Sequence, residues 1–104
     1  MLKDIFQQGL FITAELVIKP DVDLDNAISA IHDFCEGINN EPGCSFALAL
    51  QDSKEPRKVI FWERYEDRAA FEKHFQAHHT QRFIDAGLTD LVQAFESQLL
   101  AKEQ

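Results

Sequence analysis

The chain has 104 residues, a length for one domain with a single modest core, and its 45% hydrophobic residues, nine Phe among them, can supply that core. A charged fraction of 27% argues against a membrane-embedded chain, and no apolar run approaches the ~20 residues of a spanning helix. Ten basic against eighteen acidic residues give a net charge of −8, which repels phosphate backbones and excludes nucleic acid as a partner.

The first predicted element is a strand over Leu10 to Ile18. Leu10, Ile12, Ala14, Leu16 and Ile18 alternate as one apolar face, while Phe11 and Val17 share the other with Thr13 and Glu15. Pro20 ends it. Asp21 to Asp25 then offer N-caps for a helix in which Leu24, Ala27, Ile28, Ile31, Phe34, Cys35 and Ile38 follow the 3.6-residue period. Asn39-Asn40-Glu41-Pro42-Gly43 stops that helix. A second strand, Cys44 to Leu50, sets Cys44, Phe46, Leu48 and Leu50 on one face against Ser45, Ala47 and Ala49 on the other. The polar stretch Gln51 to Lys58, with Pro56, forms a hairpin loop into a third strand, Val59 to Tyr65, that is apolar or aromatic on both sides.

Asp67 caps a second helix in which Phe71, His74, Phe75 and His78 stand at i, i+3, i+4 and i+7, the spacing of one buried stripe carrying two histidines. A short helical turn through Phe83 and Ile84 ends at Gly87. Beyond it the spacing of Leu88, Leu91, Val92, Phe95 and Leu99 suits a helix. The order strand, helix, strand, strand, helix, however, lacks only a last strand to complete a ferredoxin-like unit. Topology therefore favours a strand at about Val92 to Leu100. The expected fold is α+β: a ferredoxin-like four-stranded antiparallel sheet with helices on one face, as a single domain over residues 1–104. Two helices cover one face of such a sheet, yet the second and third strands are apolar on both. A second copy packed sheet against sheet, a homodimer, is the simplest cover.

Cys35 and Cys44 are too few for a disulfide framework, and the N-terminus shows no secretory pattern. A cytoplasmic protein with reduced thiols and no membrane association is expected.

Three of the four histidines fall between positions 74 and 79. His74, flanked by Phe71 and Phe75, is the first candidate for a general base, because imidazole is the side chain suited to exchanging a proton at neutral pH. Glu63 is placed to orient the histidine or a substrate, and Tyr65 to hydrogen-bond a substrate oxygen. Trp62, Phe61 and Phe46, with Phe71 and Phe75, would line an apolar pocket between sheet and helices. The same residues also read as plain core: a hydrogen-bonded histidine, Glu63 paired with Arg64, Arg68 or Lys73, and Tyr65 and Trp62 as packing aromatics. A metal would draw on His74 and His78, with His32 and Cys35 from the first helix. No HExxH pattern supports such a site, so no metal ligands and no bound cofactor are expected. With four glycines in the chain there is no Gly-rich phosphate loop, nucleotide fingerprint or nucleophile elbow.

Glu41-Pro42-Gly43-Cys44 before the second strand, Glu63-x-Tyr65-x-Asp67-x-x-Ala70 at the end of the third, and His74-x-x-x-x-His79 beyond it resemble the antibiotic-biosynthesis monooxygenase family from about Leu10 to Phe83. The resemblance implies a dimeric α+β barrel, with Glu63, Tyr65, His74 and His79 as catalytic candidates. It further implies a cofactor-independent monooxygenase, with molecular oxygen as co-substrate, acting on a hydroquinone-like or polycyclic phenolic small molecule. His78 stands where quinol monooxygenases of this kind often carry proline. The haem-degrading branch uses an Asn, a Trp and a His; here Ala14 stands at the first position and His74 near the second, which ranks haem degradation low. The superfamily also holds members without known catalysis, which suggests a small-molecule-binding or stress-response module. It holds as well an isomerase of a sugar-phosphate signal, for which Arg57, Lys58 and Arg82 are the available cations.

Overall fold

The computed structural model describes residues 7–100; the ends of the 1–104 domain and the reading of the extreme N-terminus lie outside the described residues. Seven elements follow in order: β1 (Leu10–Ile18), α1 (Leu24–Asn39), β2 (Cys44–Gln51), β3 (Lys58–Tyr65), α2 (Arg68–Gln76), α3 (His78–Ala86) and β4 (Thr89–Ser97). The strands form one four-stranded sheet in the order β2-β3-β1-β4, with every neighbouring pair antiparallel. This is the ferredoxin-like α+β arrangement expected from the element order.

The last segment is a strand despite its helical spacing, because pairing along the free edge of β1 outweighs local propensity. It begins and ends three residues before the predicted Val92 to Leu100. Gly87, at φ 61, closes α3 with its N–H on the Ile84 carbonyl, and Lys19 N–H already reaches the Leu88 carbonyl at 3.0 Å. Pairing therefore starts at once, with Thr89 opposite Ile18 and Ser97 opposite Phe11.

The Asp23 carboxylate accepts the Asn26 N–H at 3.0 Å and starts α1, which buries Ala27, Ile31, Phe34 and Ile38 along one stripe. At its other end Asn39 serves the edge strand β2. Ala47 N–H donates to Asn39 Oδ1 at 2.8 Å, and Asn39 Nδ2 donates to the Ala47 carbonyl at 2.9 Å. One side chain thus satisfies backbone groups that an edge would leave open, and joins the end of α1 to the sheet.

The helices cover one sheet face. Val59, Phe61, Glu63 and Tyr65 of β3 are buried on it, and Ile12, Ile18 and Ala47 complete that side of the core. The expected face of β2 is divided by a register shift between Cys44 and Phe46. Cys44 opposes Tyr65 on the helix side, whereas Phe46, Leu48 and Leu50 oppose Arg64, Trp62 and Ile60 on the far side. Within one chain that far face is open: Trp62 is 49% exposed, Leu48 48% and Phe95 55%. Arg64 closes one end of it by donating to the Gln7 and Gln8 carbonyls and to Ser45 Oγ.

The stripe predicted through Phe71, His74, Phe75 and His78 is interrupted. Ala77 turns to an extended conformation, ψ 144, so α2 stops at Gln76 and a separate helix starts at His78. His78 is consequently exposed, and His79 takes the inward place. Among the described residues no helix is long and apolar enough to cross a membrane.

Candidate active site

The site is assembled around a residue in a turn. After α1 ends, Glu41 N–H donates to the Ile38 carbonyl at 3.0 Å, Cys44 N–H donates to the Glu41 carbonyl at 3.1 Å, and Glu66 N–H donates to the Gly43 carbonyl at 2.8 Å. These bonds hold the Glu41–Cys44 turn against the β3–α2 junction. The approach requires glycine, since a Cβ at position 43 would overlap the Ala70 side chain of α2. On the far side of Glu41, a Cβ on Gly37 would come within 2.7 Å of the His79 ring. Two glycines therefore let α1, the turn, α2 and α3 close on one carboxylate.

That carboxylate holds both inward histidines. His74 Nδ1 lies 2.8 Å and His79 Nε2 2.5 Å from the same oxygen, Glu41 Oε2. His74 is 5% exposed, against 20% for His79. Thr80 Oγ1 stands 3.3 Å from His74 Nδ1. Phe34 supports both rings, at centroid distances of 5.9 Å and 6.2 Å, and is itself stacked on Phe83 at 4.2 Å. A neutral His74 that donates its Nδ1–H to Glu41 carries its lone pair on Nε2, the form a general base needs.

His74 also borders a cavity of about 280 Å³ between the sheet and helices α2 and α3. Its walls are mostly apolar: Ile12, Ala14, Leu16 and Phe61 from the sheet, Phe71, Phe75, Phe83 and Ile84 from the helices, Leu91 and Ala94 from β4. The polar members are Glu63, His74 and Thr80. Tyr65 O–H donates to Glu63 Oε1 at 2.7 Å, and both residues are buried. Burial raises the Glu63 carboxyl above its ordinary range, only partly offset by the Tyr65 hydrogen bond and nearby His74. The Tyr65 phenol is driven strongly upward by burial and by Glu63, so it stays a hydrogen-bond donor. Cys44, beside them, is pushed up to about 12 by burial, then by Glu63 and Glu41, and remains a thiol.

Of the expected site residues, Glu63, Tyr65, His74, Phe61, Phe71 and Phe75 gather at or beside this cavity, and His79 joins through Glu41. Trp62 and Phe46 do not. They stand on the open sheet face beside Phe11 and Thr13, because alternate residues of a strand point to opposite faces. Glu63 bonds to Tyr65 rather than to a basic residue; Arg68 pairs with Glu96 instead. The metal set imagined from His74, His78, His32 and Cys35 does not form, since His78 and His32 are exposed and Cys35 Sγ donates to the Ala47 carbonyl. Glu41, His74 and His79 do bring three donor atoms within 4.8 Å of one another, but two of those atoms are already hydrogen-bonded to the third. Among the described residues no Lys or Arg lines the cavity. Arg57 is spent on the Lys19 and Val22 carbonyls, and Lys58 on Glu15 and Glu55. Sequence reasoning did not single out Glu41 as a site residue; its only signal was a place in the Glu41-Pro42-Gly43-Cys44 turn.

The fold places the chain among ferredoxin-like α+β domains. Residues 10–86 match the antibiotic biosynthesis monooxygenase family, and the chain belongs to it, as its motifs had suggested. The uncharacterized protein YjcS of Bacillus subtilis is 34% identical over 70 residues, 67% of this chain and 67% of that protein. A solved structure of a protein YjcS is similar with a TM-score of 0.79 at 30% identity, over 88% of this chain and 98% of that one. The uncharacterized protein sll1783 of Synechocystis is 28% identical over 76 residues; this is 73% of the present chain, which spans about half (51%) of that relative. A crystal structure of an antibiotic biosynthesis monooxygenase shares the fold with a TM-score of 0.75 at 24% identity, over 90% of this chain and 99% of that one.

Proposed function

We propose that this chain is a cofactor-independent monooxygenase that oxidises a hydroquinone-like or polycyclic phenolic small molecule. The observation that carries the reading is His74: it borders an apolar cavity, and its Nδ1 is committed to Glu41, which leaves Nε2 to take a phenolic proton. The anion so formed is electron-rich enough to pass an electron to molecular oxygen. One oxygen atom then enters the product and the other leaves as water, with the substrate supplying all the electrons. Glu63 and Tyr65 support the reading as a buried hydrogen-bonding pair that can engage a substrate oxygen. The lack of a cation on the cavity wall favours a neutral aromatic substrate over a sugar phosphate.

The working form in this reading is a homodimer. Support comes from the open sheet face, where Leu48, Leu50, Trp62 and Phe95 form an apolar surface that a two-fold partner would bury. A reducing cytoplasmic setting belongs to the same reading and agrees with two free thiols, Cys35 and Cys44.

The test is oxygen uptake over a panel of hydroquinones and anthrones, with and without chelator. Uptake above spontaneous autoxidation is expected, and His74→Ala should lower it by about 10²- to 10⁴-fold, the usual contribution of a positioned base. No uptake on any substrate would sink the oxygenase reading and leave a module that only binds its ligand. An undiminished His74→Ala enzyme would remove the assigned base alone.

A further inference from the structure

A base enclosed at a cavity wall has to shed the proton it takes, and His74, at 5% exposure, has little direct contact with water. The arrangement around it runs outward. His74 faces the cavity, Glu41 Oε2 lies between the two rings, and His79 borders a separate surface groove with Asp33 and Arg82. Nothing in the base reading itself calls for His79 or for the seat that Gly37 provides beneath its ring.

We infer that Glu41 and His79 form a proton relay from His74 to the surface, an inference that rests on the base reading above. The relay requires a starting form in which His74 carries one proton, on Nδ1, Glu41 is a carboxylate, and both ring nitrogens of His79 carry protons. The substrate proton arrives at His74 Nε2, the Nδ1 proton passes 2.8 Å to Glu41 Oε2, and His79 releases its Nδ1 proton to the groove. One proton enters and one leaves, and the three groups hold the same total charge before and after. The relay groups therefore add no charge of their own, and the one charge gained in the interior is that of the substrate phenolate, which is consumed as the electrons pass to oxygen. Reversal returns a proton for the water that leaves. Glu41 and His79 are positioning residues in this scheme, since neither borders the cavity.

Other charges face the relay. Glu63 on β3 interacts with both His74 and Glu41, Cys44 on β2 senses Glu41, Lys73 on α2 shares a groove with Glu41, and Asp33 and Arg82 flank His79. Glu66 and Asp67, from the β3–α2 junction, line that groove with Glu41 and Lys73, and Tyr65 and Cys35 are held protonated. A test of the relay must therefore compare His74 with itself in variants at His79 and Gly37.

Nitrogen-15 NMR of the full chain reads the protonation of each ring against pH without any substrate. The relay predicts that His74 and His79 titrate as a coupled pair, and that His79→Gln moves the His74 midpoint by about one unit, tenfold in proton affinity. Gly37→Ala, which leaves every titrating group in place, should shift it the same way by displacing the His79 ring. Thermal melts establish that both variants fold, and Glu41→Gln serves as a second means of uncoupling the rings if either does not. A His74 curve that superposes on the wild type in the folded variants would overturn the relay. So would uptake of one equivalent of zinc with loss of the coupled titration. In turnover, imidazole in the buffer should restore His79→Gly at least severalfold. Should wild type consume no oxygen, the oxygenase reading fails while the NMR result still decides the relay.

Discussion

Phe61 and Trp62 are adjacent aromatic residues on one strand, and the fold treats them in opposite ways. Phe61 is 2% exposed beneath the helices, in edge contact with Phe34 at a centroid distance of 5.7 Å, whereas Trp62 stands half exposed on the other face. Among the described residues the buried acid, phenol and imidazole chemistry lies on the helix-covered side, and Arg64 is the one buried polar side chain of the open, largely apolar face. The difference separates two tasks that one strand performs. One face builds a pocket, and the other presents the apolar surface on which the proposed second copy would pack. A large aromatic at 62 belongs to the open face and not to the pocket that the sequence alone suggested for it, and the proposed dimer would give it a packing role.

The strongest way to break this division is a charge on the open face. Trp62→Glu would bury two carboxylates in a two-fold dimer, each costing on the order of several kcal/mol. Light scattering should then report one chain where the wild type gives two, with the monomer's far-UV spectrum retained. A wild-type mass of one chain would show instead that the open face is merely exposed, and the comparison would lose its explanation.

Phe61→Ala is the matching change on the covered face. Removing a buried Phe ring costs about 3–5 kcal/mol. Denaturant unfolding should show this loss at any protein concentration, because the ring packs within its own chain. By contrast, a stability change from Trp62→Ala should depend on concentration, since it acts through association. Equal and concentration-independent losses at both positions would place both rings in one core.

These contrasts mark how far the sequence could be read. The 3.6-residue spacing of Ala27, Ile31, Phe34 and Ile38 and the alternation of Leu10 to Ile18 are local signals; the strand stands at its predicted bounds, and the helix runs from a cap among the predicted Asp21 to Asp25 to the predicted stop at Asn39. The face of Trp62 was legible in the alternation of β3, but which face the helices cover was not. The register shift beside Ser45 was invisible because a bulge leaves no periodicity of its own. Glu41 was beyond reach for a different reason. It meets His74 across 33 residues and His79 across 38, through a close approach that depends on Gly37, Gly43 and Ala70 together. The break at Ala77 was equally hidden, since alanine favours helix and no Pro or Gly announces the stop. His79 was therefore named from the resemblance, whereas periodicity pointed to His78.

The smallest expected effect concerns how the covered face tolerates its acid. Burial disfavours the Glu63 carboxylate, so the native carboxyl keeps its proton to higher pH than the unfolded chain does. Between the ordinary carboxylate value and the raised native one, the folded state carries more protons than the unfolded state. Stability must therefore fall as pH rises through that window, with no penalty below it and a constant one above it. Glu63→Gln removes this contribution while keeping a side-chain oxygen for the Tyr65 O–H. Subtracting the variant's unfolding free energy from the wild type's at each pH cancels the slopes of the other acids. The difference should be flat in acid, decline from the ordinary carboxylate range upward, and leave the variant more stable at neutral pH. A difference that instead grew with pH would mean that Tyr65 and His74 outweigh burial, and the cavity wall would carry a fixed negative charge. A carboxylate favoured in that way would stay charged well into acid and would repel the phenolate that His74 is proposed to form, so the sign of this small slope tells whether burial or the hydrogen-bonding partners govern the acid beside the base.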